Sequence, residues 1–143
     1  MTWRRGWTGL LLGLALLPAT AMWAGLTDAE LLARSDLVVI GEWQGAATLE
    51  LPPPTGALTL GVIRVNEVIK GDPGLAIALV LQPAAGVPRS SSDLIYRRGD
   101  RGLWLLRARP GAAGQFLVDH PQRFVPVADT ARIDALRAAL ARR

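Results

Sequence analysis

GVIRVNEVIKGDPG, residues Gly61 to Gly74, is the stretch that decides the fold. Ile63 and Val65 alternate with Arg64 and Asn66, the period of a half-buried strand. Val68 then stands three residues beyond Val65 rather than two. One extra residue at Asn66-Glu67 is what a β-bulge needs to return Val68 to the face of Ile63 and Val65. The expectation is therefore a core formed by Ile63, Val65 and Val68, with Arg64 in solvent. Lys70-Gly71-Asp72-Pro73-Gly74 stops the strand with turn chemistry, and LAIALVLQP follows as a second apolar run. A long, bent strand that turns into its neighbour is the centre of a small β-barrel or sandwich.

Working outward, the central strand runs from about Ala57 to Ile69, and Leu75 to Leu81 pairs beside it. Upstream, Gly45 to Thr55 reads as a loop, because Pro52-Pro53-Pro54 is too rigid and donor-poor for a sheet interior. Before it, LVVIGEW opens with four apolar residues and so implies a strand buried on both faces. Gly41 within that run implies a bend or a close backbone approach. Thr27 and Glu30 have the spacing of a capping box, which starts a short helix reaching about Arg34.

Downstream, Pro83 to Asp93 is a second loop containing Ser90-Ser91-Ser92, the best candidate for a flexible flap. Gly99-Asp100 makes a turn, and Leu103 to Arg109 a strand. Gly111 to Gly114 is the next hairpin turn, GQFLVDHPQRF the returning strand, and Phe124 to Val127 a last short strand. Asp129 or Thr130 caps a final helix over 130–142, whose Ile133, Leu136 and Leu140 form an apolar stripe.

Composition bounds the function. A length of 143 residues with 50% hydrophobic content allows one domain with an ordinary core, spanning 26–143. The net charge is +4, but Arg4 and Arg5 sit in a targeting segment. Without that pair the 16 basic groups become 14, against 12 acidic ones, so the charge says little about an acidic partner. Lys70 is the single lysine. The chain has no cysteine, which excludes disulfides, thiol catalysis and zinc–thiolate sites.

The N-terminus carries the most specific signal. Arg4 and Arg5 form a charged n-region, Leu10 to Leu17 a short apolar core, and Ala19-Thr20-Ala21 a small-x-small cleavage pattern. Residues 1–21 therefore read as a signal peptide, with cleavage after Ala24 as the alternative. Trp7 to Leu26 is free of charge, so an uncleaved segment would just reach across a bilayer, which takes about 20 residues. The expected location is outside the cytoplasm, periplasmic or extracellular, with membrane contact only through that segment if it stays uncleaved.

Ser35 to Gly41 (SDLVVIG), Val65 to Gly71 (VNEVIKG) and Gly99 to Leu106 (GDRGLWLL) resemble motifs of one known group. They are similar to the small OB-fold domains related to tissue inhibitors of metalloproteinases and netrin modules, and especially to secreted prokaryotic relatives of that group. The resemblance covers most of residues 28–127. It implies a mainly β fold: a small OB-like β-barrel of five to six strands, with a short N-terminal helix and a C-terminal amphipathic helix. The animal inhibitors of that group chelate the protease zinc through an N-terminal cysteine. This chain has none, so inhibition by that mechanism does not carry over.

Catalytic chemistry is hard to assemble. His120, the only histidine, follows Asp119 and precedes Pro121, and a surface turn is its expected setting. A metal site built on one histidine without cysteine would need several carboxylates, so neither metal nor cofactor is expected. Ser90, Ser91 and Ser92 have no nucleophile-elbow surroundings, and Arg98-Gly99-Asp100 is ordinary turn chemistry rather than a receptor motif. Tyr96, Arg97, Arg98, Arg101, Arg107 and Arg109 gather along one strand with Trp104 among them. OB-folds bind single-stranded nucleic acid through such surfaces. Export, the small net charge, the single lysine and a core position for Trp104 count against nucleic acid and favour a solvated arginine face, which is the candidate surface for a protein partner. The leading expectation is an exported, non-enzymatic binding or accessory module whose partner is another envelope or extracellular protein, not nucleic acid. The alternative is an envelope hydrolase or metal-dependent enzyme centred on Asp119 and His120, completed by carboxylates such as Asp93 or Asp100.

Overall fold

The computed structural model describes residues 23–142 apart from 55, 76 and 84–93. The expected signal segment, most of the Pro83–Asp93 loop, its serines and Asp93 lie outside the described residues. Among the described residues, six strands form one sheet, and two α-helices pack on it. In chain order they are α1 (Asp28–Ala33), β1 (Leu37–Glu50), β2 (Ala57–Lys70), β3 (Ile77–Gln82), β4 (Arg101–Ala108), β5 (Gln115–Leu117), β6 (Phe124–Pro126) and α2 (Thr130–Ala141). A 3₁₀ turn, Pro121–Arg123, joins β5 to β6.

The sheet order is β1-β2-β3-β5-β4-β6, and β1 also pairs with β4. All pairings are antiparallel except β3 with β5. The first half of β1 therefore lies between β2 and β4, and both of its faces are covered. Leu37, Val39 and Trp43 join Ile63, Val80, Trp104, Leu106 and Phe116 in one apolar cluster. Val38 joins Leu31, Leu32, Leu103, Leu105, Val125, Ile133 and Leu136 in a second, between the sheet and the helices. The alternation in β4 matches: Trp104 and Leu106 face the first cluster, Leu103 and Leu105 the second. That double burial is why both strands read as unbroken apolar runs.

The capping box is present as expected: Thr27 Oγ1 accepts from the Glu30 amide, and Glu30 accepts from the Thr27 amide at 2.9 Å. Asp129 caps α2 through the Arg132 amide. Ile133 and Leu136 are buried and Leu140 packs beside them. On the polar side, Arg137 forks onto both Glu67 oxygens at 2.7 Å, and this bond holds the Glu67 carboxyl below its ordinary pKa.

Two expectations need correction, and the expected bulge proves to be one of several. Gly45 to Glu50 are strand, not loop: Ala46 to Glu50 pair residue by residue with Gly61 to Ala57. The prolines confine the reversal to 51–56, so their rigidity ends the strand later than the reading from Gly45 implied. The bulge at Asn66 is present, since Ile40 pairs with Glu67 and Gly41 with Val65, but it is not the only irregularity. Ile69 and Gln44 are likewise skipped by the register. Val68 pairs with Val39 on the expected face, yet it is 44% exposed and joins neither cluster. The cause is that β3 stops pairing with β2 at Arg64↔Ile77, so beyond that point, among the described residues, β2 has only β1 as its strand neighbour and Val68 is left uncovered. Ile63 is buried, Val65 packs on the first cluster, and Arg64 is exposed with its guanidinium 3.0 Å from Glu42.

The Lys70-Gly71 pair ends β2 with two specific jobs. Lys70 Nζ donates to Leu32 O and Ser35 O, carbonyls at the C-terminal end of α1. Gly71 has φ +79°, and a Cβ there would collide with Asp36 O. The Lys70 bonds and the close approach at Gly71 together seat the end of β2 against the end of α1. Gly41 shows the close approach expected of it, because a Cβ there would lie 2.6 Å from Ile63 Cγ2 and 2.7 Å from Arg64 O.

Candidate binding cleft

Trp43, Tyr96, Trp104 and Phe124 form a continuous aromatic cluster. Trp104 stands at its centre, with ring centroids 4.3 Å from Phe124, 4.8 Å from Tyr96 and 5.9 Å from Trp43. Trp104 is fully buried and its Nε1–H donates to Gly41 O at 3.0 Å. It is a core residue, as its flanking leucines imply. Tyr96, expected on the partner-binding surface, is half-buried: its ring belongs to this cluster, edge-on to Trp104 and Phe124, and also lines the cleft above it.

Above Trp43 and Tyr96 the sheet opens into a cleft of ≈ 290 Å³. One wall is the extended part of β1 and its partner, with Ala46, Thr48 and Thr59; the other is the segment Leu94 to Arg98. Thr48 and Thr59 share a hydroxyl–hydroxyl bond of 2.8 Å, and Gln82 stands at the end of β3. Ile95 is 62% exposed at the rim. Arg98 crosses the mouth and donates from Nε to Gln44 O at 2.8 Å. The Asp100 carboxylate accepts from the Arg97 amide at 2.7 Å, which closes the turn that carries Arg97 and Arg98.

The arginine cluster of the sequence divides in space. Arg97, Arg98 and Arg101 are exposed at the cleft end of β4. Arg107 lies six residues along the strand from Arg101, about 20 Å away at the rise of an extended chain, and its guanidinium is 2.6 Å from Asp119. Arg109 bonds Gln115 Oε1 at 2.5 Å. Of the predicted surface residues, the structure brings Arg97, Arg98 and Arg101 together and holds Arg107 and Arg109 in internal pairs.

Burial pushes the Tyr96 phenol above its ordinary pKa of 10.0, and the Asp100 charge adds to the shift. The sign follows directly. Above pH 10 the unfolded chain ionises its tyrosine while the folded chain keeps the proton, so the native state binds more protons and stability falls as pH rises. Tyr96 is the only tyrosine, which makes the measurement unambiguous. Ultraviolet titration of the folded protein is expected to show no phenolate where the urea-unfolded chain is already ionised. Tyr96→Phe should flatten the loss of stability in that alkaline window.

Asp119 and His120 are adjacent but face different partners. Asp119 lies between Arg107 and Arg123, with Arg123 Nε at 2.7 Å from Oδ1. His120 was expected on a surface turn, but it is buried. Its Nδ1 accepts from the Gln122 amide at 3.2 Å and Nε2 lies 2.9 Å from Ala24 O. That pattern requires the proton on Nε2. The Trp23 ring packs edge-on against the imidazole at 5.2 Å. The correction has a simple physical source: Pro121 starts a 3₁₀ turn, and the residue before it caps that turn while meeting the chain that leads into α1. Asp100, the described carboxylate expected near His120, is engaged at the Arg97 turn instead.

Sequence reasoning missed Arg123. Its side chain is 3% exposed and bonds four residues on three segments. Nη1 donates to Ser35 Oγ at 3.1 Å and Leu105 O at 3.0 Å, Nη2 to Arg34 O, and Nε to Asp119. Ser35 in turn donates to Leu31 O at 2.6 Å. A charged residue between two strands gives no sequence signal for burial. No protein-family model matches this chain, and no curated protein matches it either.

Proposed function

We propose that this protein is an exported, non-enzymatic binding module, built on an OB-like barrel and engaging another envelope or extracellular protein. The barrel reading rests on the circuit β1-β2-β3-β5-β4 and back to β1, five strands as an OB-type barrel requires. The kinship to the inhibitor- and netrin-related domains rests on the sequence motifs alone, and their zinc-chelating cysteine has no counterpart here. The observation that carries the binding reading is the cleft over Trp43 and Tyr96, with Ile95 at its rim and Arg97, Arg98 and Arg101 exposed beside it. An apolar floor, a few polar groups and a cationic rim are the makings of a recognition site. Asp119 and His120, by contrast, spend their polar atoms on Arg107, Arg123, Gln122 and Ala24.

The test is a photo-crosslinking residue at Ile95 in the living cell. It is expected to capture an envelope protein, and Arg97→Glu with Arg101→Glu should reduce that capture several-fold, as rim charges govern encounter. Arg107→Glu should leave it unchanged apart from any effect on folding, monitored by the melt. An envelope hydrolase activity abolished by His120→Gln at an unchanged melting temperature would overturn the binding reading in favour of an enzyme.

A further inference from the structure

Among the described residues, β1 has a free edge over its second half. Its pairing with β4 ends at Glu42↔Arg101, and Trp43 makes the last backbone bonds on that side, to Asp100 and Gly99. Beyond it the Gln44 bulge turns the strand. Leu51 N–H bonds Gly56 O, so by the alternation of an antiparallel ladder residues 45, 47 and 49 direct their amides to β2. Ala46, Thr48 and Glu50 direct theirs outward, where no described residue pairs with them.

Strand edges of this kind are normally protected by lysine, arginine or proline, or by an inward-pointing charge. GAATLE, residues 45–50, carries one charge, Glu50, at its far end. Leu49 is 50% exposed on the face away from the cleft. Glu50 is exposed and has no bonding partner among the described residues. At the near end Arg98 lies along the edge on Gln44 O, and no carboxylate among the described residues pairs with its guanidinium.

We infer that this edge pairs with the same edge of a second copy, giving a twofold dimer in which β1 continues into β1 of the other chain. An isologous contact must be self-complementary, and this one is. With Thr48 opposite Thr48, the outward residues meet one another and Glu50 falls opposite Ala46, beside Arg98 of the other chain. Alternate residues share a face, so Glu50 lies on the side of Thr48 and Ala46, which line the cleft together with Arg98. Two Glu50–Arg98 pairs then flank the axis, and Leu49 covers Ala47 of the other copy on the opposite face. The inference does not depend on the binding reading, since Arg97, Arg101 and Ile95 stay outside the pairing. Six residues of edge make a small contact, so association is weak, with a dissociation constant on the order of 100 μM.

Sedimentation equilibrium of the purified protein tests this, together with amide exchange at Ala46, Thr48 and Glu50. A concentration-dependent dimer is expected, with those three amides slowing as it forms. Thr48→Pro removes the outward N–H, together with the hydroxyl that bonds Thr59, and should weaken association at least about tenfold. Glu50→Arg and Arg98→Glu should each do the same alone. An equimolar mixture of those two variants restores a dimer, because the two reversed charges then face each other across one pair while the second pair is native. Circular dichroism establishes that each variant is folded, so the mixture remains decisive if Thr48→Pro misfolds. A monomer up to about 1 mM, ten times the expected constant, overturns the inference, whether those amides exchange freely or are protected by this chain's own residues. So does a dimer indifferent to all three substitutions, or one that the mixture fails to restore.

Discussion

Arg123→Ala is expected to lower the unfolding free energy by about 3 kcal/mol, the low end of the range for removing one partner of a buried ion pair. The substitution strips donors from Leu105 O and Arg34 O and from the Ser35 hydroxyl, and it leaves Asp119 with Arg107 as its partner. Asp119 is 37% exposed and can rehydrate, which is why the cost stays at that low end. Leu105 O cannot rehydrate so readily, because Leu105 is fully buried. Arg123→Lys should recover little: a single ammonium cannot reach Asp119, Ser35, Leu105 and Arg34 as the planar fork does. Urea denaturation of the two variants beside Asp119→Asn gives the check. Asp119→Asn should cost less than Arg123→Ala, and a cost for Arg123→Ala below about 1 kcal/mol, the level of a surface pair, would contradict the buried network.

Where the sequence was legible, a local rule and the tertiary structure agreed. The Thr27–Glu30 capping box, the slip in period at Asn66 and the doubly apolar run after Asp36 each have one physical reading, and each appears in the structure. Where it misled, the deciding quantity was a neighbour remote in sequence. Val68 has the right face but lacks a covering strand, because β3 pairs only as far as Arg64. Gly45 to Glu50 look like loop by composition, yet they pair because Ala57 to Gly61 return alongside them. Arg123 and His120 are polar residues close to a proline, a pattern that reads as surface. Their burial follows from the convergence of Ala24, Arg34, Ser35 and Leu105, which no local window contains. The candidate cleft was half legible. Tyr96 and Arg98 were singled out, but Trp43, Thr48 and Thr59 come from another hairpin and share no motif with them.

Trp104→Ala is expected to be the most damaging single change, at about 4 kcal/mol, within the range for truncating a fully buried large aromatic. The indole is in contact with three other rings, so its removal opens a cavity that Trp43, Tyr96 and Phe124 border together. Collapse into that space is opposed by the strands on which those rings sit. β4 is paired to β1 at Val39↔Trp104 and to β6 at Trp104↔Phe124, so the backbone cannot close the gap without breaking one ladder. Gly41 O loses its donor as well. Trp104→Phe keeps a ring in the cluster but not the N–H, and should cost about half as much, part transfer term and part lost hydrogen bond. Both values come from urea midpoints at constant slope. An independent readout separates packing from mere loss of volume. Trp43 and Trp104 are stacked with an interplanar angle of 28°, so their coupled indoles should give an exciton signal in circular dichroism that disappears in Trp104→Phe while the sheet signal persists. If the signal survives Trp104→Phe, or Trp104→Ala costs less than about 1.5 kcal/mol, the ring does not hold the two hairpins together and the floor of the cleft is built differently.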